Sequence, residues 1–168
     1  MQLNSLQDVL VEQLGDLYSA EQQLVTALPR VSGAASDGKL RTALDEHLQE
    51  TRGHVKRLEQ IFDQLGISAP SEKCKGMEGL IAEGEGIIAM PGDPAAKDAA
   101  LIAAAQRVEH YEIAAYGTAR TLADELGHDD VETLLNETLD EESSADKKLT
   151  QIATGGLLRS GVNQAARS

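Results

Sequence analysis

Val108-Glu109-His110-Tyr111-Glu112 lies midway along a segment whose apolar residues recur every three or four positions. Followed in those steps, the seam reads Ile102, Ala105, Glu109, Glu112, Tyr116, Ala119, Ala123 and Leu126. The spacing is that of one face of an α-helix. Two slots that should hold Leu or Ile hold carboxylates instead. Burying a carboxylate is costly unless it is paired or binds a cation. Either this face meets water, or something cationic sits against it, and the other helices must decide.

Three further segments carry the same anomaly. The first starts at Ser5, with Asp8 three residues on as a capping box. Its seam runs Leu6, Leu10, Leu14, Leu17, Glu21, Leu24, Leu28, with Glu21 the one non-apolar member. Pro29 is expected to kink or end it, and residues 33–38 read as a turn. The second covers Lys39 to Leu65 and places His47, Glu50 and His54 in consecutive core slots between Ala43 and Leu58. Asp93-Pro94 is a helix start for the opening segment, which runs to Leu126. Asp129 with Glu132 reads as a second capping box for the last helix, whose seam is Val131, Leu135, Leu139, Glu142, Asp146, Leu149, Ala153.

Residues 66–93 are too long for a tight turn and contain a short helix from Met77 to Ala89. A connection of that length lets the second and third long helices run parallel. The expected fold is all-α: a four-helix bundle of two hairpins joined by a long crossover with a short extra helix. It spans residues 1–154 as one domain, and residues 155–168 form a flexible tail. An internal echo supports two related hairpins. Glu21 matches Glu112 at 112 − 21 = 91, and Glu50 matches Glu142 at 142 − 50 = 92.

Composition fits this picture. The chain has 168 residues, no Trp, one Phe and four Pro, and a formal net charge of −13. A surface this acidic disfavours nucleic acid and anionic membranes as partners. No apolar run spans a bilayer, the N-terminus lacks the pattern of a signal peptide, and one cysteine excludes an internal disulfide. A cytoplasmic protein is expected. Cys74, between Lys73 and Lys75, is expected to be an idle surface thiol, and His128 a loop residue.

Each long helix thus carries acid or histidine at mid-seam, and packing them side by side brings these groups to one level. Carboxylates clustered without cations repel strongly at low dielectric. Two divalent metals remove that repulsion, and iron or manganese accepts such a ligand set. The candidate ligands are Glu21, His47, Glu50, Glu109, Glu112, Glu142 and Asp146. Glu50 and Glu142 are the expected bridges, Glu21 and Glu112 the terminal carboxylates, and His47 the nitrogen donor. Glu109 and Asp146 act as ligands or beside them. This is the logic of ferritin-like carboxylate bundles, in which Glu-x-x-His recurs on two helices. Here Gly53 and Ala145 stand where those histidines would be, so the set is richer in carboxylate.

The segments LYSAEQQL (17–24), EHLQETRGHVKRLEQIF (46–62), GMEGLIAEG (76–84) and DAALIAAAQRVEHYEIAAYGTA (98–119), with ETLDEE (137–142), carry a resemblance. The chain is similar from residue 3 to 153 to the YciE/YciF family of ferritin-like stress-response proteins. The resemblance implies a ferritin-like bundle with a dimetal site, a homodimer, and a bacterial cytoplasm. It also ranks His54 below His47 as a ligand, because other members carry Gln at that position. Two functions follow as expectations. One is a di-iron oxidoreductase, ferroxidase- or rubrerythrin-like, meeting O2 or peroxide. The other is a non-catalytic metal-binding or structural bundle.

Overall fold

The computed structural model describes residues 2–156 and 159–167. In chain order the helices are α1 (Leu6–Ala34), α2 (Gly38–Leu65), α3 (Lys75–Ala89), α4 (Pro94–Glu125) and α5 (Asp129–Thr154). A two-residue ribbon pairs Gly155–Gly156 with Arg159–Ser160, and the one-turn α6 (Val162–Ala165) follows. The four long helices form an all-α bundle, with α3 laid across it inside the crossover. Among the described residues no helix is long and apolar enough to cross a membrane.

Local chemistry sets most helix starts. The Ser5 hydroxyl accepts from the Asp8 amide, and the Asp8 carboxylate in turn accepts from the Asn4 amide and the Ser5 hydroxyl. Asp37 caps α2 and Asp93 caps α4, each accepting two first-turn amides. The capping box expected at Asp129 does not form. His128 holds the cap position without a side-chain bond, and Asp129, Asp130 and Glu132 occupy the first turn. There they favour the positive end of the helix dipole, while Arg120 takes the Glu132 carboxylate at 3.0 Å.

Pro29 does not end α1, which continues to Ala34. Proline removes one ladder hydrogen bond, but Pro29 lies on the exposed face. The buried Leu28 and Ser32 on the opposite side hold the last turns in place. Asp98, nearly fully buried on α4, accepts from the amides of Ser36 and Asp37 at 2.8 and 2.7 Å. It thereby ties the first hairpin's turn to the second hairpin.

Cross-links fix helix direction. Gln7 meets His128, Glu21 meets Tyr116 and Ser36 meets Asp98, so α1 and α4 run antiparallel. Glu46 meets Lys148 and Arg57 meets Thr138, so α2 and α5 do the same. Within each hairpin the helices are antiparallel, so α2 and α4 are parallel, as the long crossover requires. The segment expected to be a flexible tail contains the ribbon and α6, and Val162 is buried in the core; Leu157, Leu158 and Ser168 lie outside the described residues.

The core is two apolar blocks. One holds Leu10, Leu14, Leu17, Leu58, Ile61, Phe62, Tyr116 and Leu135. The other holds Leu24, Leu28, Leu40, Leu44, Met77, Leu101, Ile102 and Leu149. Each buried Leu or Ile contributes about 1.5–3 kcal/mol. Between the blocks lies a layer of buried ionisable groups that contributes with the opposite sign.

Candidate metal centre

All four long helices supply this layer. Glu21 comes from α1, His47 and His54 from α2, Glu109 and Glu112 from α4, and Glu142 from α5, and each is at most 5% exposed. The wheel explains the selection. Residues three or four apart share a helix face, so Glu109 and Glu112 continue the Ile102–Tyr116 seam, and Glu21 continues Leu14–Leu17–Leu24.

The donor atoms fall into two groups that share one residue. His47, Glu109, Glu112 and Glu142 each offer an atom within 4.8 Å of the others, and so do Glu21, His54 and Glu142. Glu142 belongs to both. His54 Nδ1 lies 2.9 Å from Glu142 Oε1 and 3.2 Å from Glu21 Oε1. His47 Nε2 lies 3.5 Å from Glu109 Oε1 and 3.8 Å from Glu142 Oε2. None of these approaches is an aligned hydrogen bond: the inward nitrogen of each imidazole, one oxygen each of Glu21 and Glu109, and both oxygens of Glu112 and Glu142 are buried without a hydrogen bond. Such groups together can hold a metal ion.

The outer edge of each imidazole is held. His54 Nε2 lies 2.9 Å from Glu141 Oε2, and Arg57 grips Glu141 with both terminal nitrogens while also donating to Thr138. His47 Nδ1 lies 3.3 Å from Glu50 Oε2. A carboxylate on one ring nitrogen places the proton there and turns the other nitrogen's lone pair inward, the arrangement typical of metal-ligating histidines. Tyr116 donates to Glu21 Oε1 at 2.6 Å.

Electrostatics divides the acids. Burial, reinforced by the Glu142 charge, holds the Glu109 and Glu112 carboxyls well above their ordinary range. Burial also raises Glu21. For Glu142 burial acts in the same direction, but the two histidines outweigh it and its pKa is lowered. Burial opposes protonation of His54, yet Glu142 and Glu21 beside it push its pKa up to about 10. Without metal, His54 and Glu142 therefore offset each other's charge, and burial favours the neutral forms of Glu109 and Glu112.

The sequence-derived ligands divide accordingly. Glu21, His47, Glu109, Glu112 and Glu142 converge. Glu50 does not: its side chain is 47% exposed and touches the outer edge of His47. Asp146 is also off the layer, accepting from Gln106 at 2.9 Å with His110 Nε2 3.5 Å away at the surface. His54, ranked below His47 on resemblance, is fully buried at the centre.

The reason for the Glu50 result is register. Buried pairs Leu40/Val131, Leu44/Leu135, His47/Thr138, Leu58/Leu149 and Phe62/Ala153 all differ by 91, the offset of Glu21 and Glu112. At that offset Glu142 matches Thr51 (142 − 51 = 91), not Glu50. One residue is about 100° of helix rotation, which separates the layer from its edge. The two hairpins are thus alike in packing and unlike in chemistry: α2 gives two imidazoles where α5 has Thr138 and Ala145, and α5 gives the carboxylate where α2 has Thr51.

Cys74 is not a surface thiol. It is buried and caps α3 by accepting from the Met77 amide. Its Sγ lies 3.0 Å from the Tyr111 hydroxyl, which donates to Asp16. Burial raises its pKa and outweighs the Tyr111 contact. His128 is half-buried and bonded to Gln7.

Comparison with known proteins places this chain in a family. Residues 5–166 match the model described as Domain of unknown function (DUF892). The Escherichia coli K12 protein YciF is 43% identical over 98% of this chain and 100% of its own length. The crystal structure of the E. coli stress protein YciF matches with a TM-score of 0.86 at 46% identity, over 88% of this chain and 94% of that one. YcfI from Rhodopseudomonas palustris matches with a TM-score of 0.88 at 41% identity, over 90% of this chain and 97% of that one. A family model matched over nearly the whole chain and a relative 43% identical along its full length leave one conclusion: the chain belongs to the DUF892 family and shares its family with E. coli YciF.

Proposed function

We propose that the protein is a ferritin-like carboxylate protein that holds two divalent metal ions, iron first and manganese as the other candidate, and that its di-iron form oxidises Fe(II) or reduces O2 or peroxide. One observation carries this: eight buried donor atoms from all four helices, none in an aligned hydrogen bond, lie in one layer. Apolar isosteres at these positions would give a more stable bundle, so the donors have another use. His47, Glu109 and Glu112 would hold one ion, Glu21 and His54 the other, with Glu142 between them. Bound iron would supply the redox chemistry toward oxygen that side chains lack. The chain's own part is binding, orientation and proton handling. Arg57 and Glu141 orient His54, Tyr116 orients Glu21, and the apolar blocks close the layer on two sides. The homodimer and the stress-response role belong to the same proposal, the latter because the similar E. coli protein is described as a stress protein.

A second reading has its own observation. The pairing of His54 with Glu142 and Glu21 balances charge without metal, which suits a non-catalytic metal-binding or structural bundle. Anaerobic loading with Fe(II), elemental counting, and then O2 or peroxide separates the two. Two irons per chain and a fast-rising near-ultraviolet ferric band support the first. Two inert metals support the second, and no bound metal removes the metal site.

A further inference from the structure

The layer is not sealed on the α2–α5 side. A recess of about 150 Å3 opens there, lined by His47, Glu50, Glu109, Ser144, Ala145 and Lys148 among others. The small residues of α5 leave the gap. At its floor, His47 Nε2 and Glu109 Oε2 are buried and unpartnered. At its mouth stands Glu50, with Oε2 3.3 Å from His47 Nδ1. Lys148, paired with Glu46, is the cation beside that mouth. A second recess reaches Glu109 from the other side, but it is about 40 Å3 and its walls are mostly apolar, Leu24, Leu28 and Leu101 among them, with Glu85 the one other acid. The Glu85 carboxylate is already paired with Arg30, so a hydrated ion meets mainly hydrocarbon there. The larger α2–α5 recess instead carries the Glu50 and Glu109 carboxylates and the His47 imidazole along its walls, so an ion entering it can exchange water for protein donors.

We propose that this recess is the route by which divalent cations reach the centre, and that Glu50 is the uptake carboxylate at its mouth rather than a resident ligand. The inference rests on the metal-centre reading. Glu50 is half-exposed and one imidazole away from the buried donors, and the chain's charge of −13 draws cations toward it. An ion meets Glu50 first, then moves past the His47 ring to Glu109 and Glu142. Lys148 works against this approach, so the two side chains set the uptake rate with opposite signs.

The test uses metal-free full-length protein and Co(II), followed by its visible absorption. Equilibrium titration gives the number of ions bound, and stopped-flow mixing gives the rate. Glu50→Gln keeps an oxygen for His47 and removes the charge. It should slow uptake about fivefold at low salt and still bind two Co(II), since a charged funnel contributes about tenfold or more to association. Lys148→Ala should quicken uptake, and both effects should shrink in about 0.5 M salt. Wild-type protein that binds no Co(II) overturns the metal reading and this proposal together. Wild-type binding with one ion lost in Glu50→Gln overturns this proposal alone and makes Glu50 a ligand. Wild-type binding with both variant rates unchanged likewise overturns it and moves the route elsewhere.

Discussion

His54 Nδ1 lies 2.9 Å from Glu142 Oε1, both side chains fully buried, at the point where the two donor groups meet. This pair is the internal counter-charge of the layer. Glu142 stays ionised because His54 faces it, and His54 holds its proton because Glu142 and Glu21 face it.

Removing His54 therefore leaves two buried carboxyls without their cation. His54→Ala should lower the stability of metal-free protein by roughly 3–5 kcal/mol near neutral pH, the range for breaking a buried ion pair. Urea unfolding measures it. The loss should shrink at about pH 5, where Glu21 and Glu142 can take up protons instead. An equal loss at both pH values would mean that packing, not charge, was removed.

Glu112 predicts the opposite sign. Both of its oxygens are buried and unpartnered, so Glu112→Leu replaces an unsatisfied polar group by an apolar one of similar volume. Metal-free protein should gain about 1–3 kcal/mol and lose Co(II) binding at one site. A variant less stable than wild type without metal would contradict the account of the layer as a cost to the fold.

The helices were legible because their signals are local: seam spacing, Ser5 with Asp8, Asp93 with Pro94. The acids were legible because a carboxylate in an apolar seam stands out. Register between hairpins is not local. Glu50 and Thr51 are adjacent, and only the run of buried pairs at offset 91 shows which one is the counterpart of Glu142. His54, Cys74 and Asp98 depend on partners from other helices, namely Glu142 for the first, Tyr111 for the second and Ser36 for the third. Spacing along α2 places His54 in a core slot, but spacing along one helix carries no signal of these partners.

Gly15 tests a contact of that non-local kind. A Cβ placed there would lie 2.6 Å from Cγ and 2.8 Å from Cβ of Pro70 in the crossover. Ala is the better helix former by about 1 kcal/mol, so propensity alone predicts that Gly15→Ala stabilises. The rigid proline ring cannot yield without moving the crossover, and overpacking costs about 1–3 kcal/mol. Thermal melts should show net destabilisation. A higher melting temperature would show that the crossover yields freely.

Acidity should act oppositely on the metal-free and metal-loaded forms. Glu109 and Glu112 have raised pKa values, so their contribution is fully present below the ordinary 4.5 and is lost as pH climbs through their folded values. His54, raised from 6.5 to about 10, contributes fully below 6.5 and loses that contribution as pH rises toward 10. Glu142 is lowered and runs the other way: its contribution is present above 4.5 and lost on acidification below it. Metal-free stability should thus peak on the acid side and decline from about pH 5 to 9. Bound metal requires deprotonated carboxylates and neutral imidazoles, so loading releases protons and strengthens with pH. The rise in melting temperature on adding Co(II) or Mn(II) should therefore grow over the same interval. A metal-induced rise that is constant across it would mean that the ion displaces no protons from this layer and binds elsewhere on the chain.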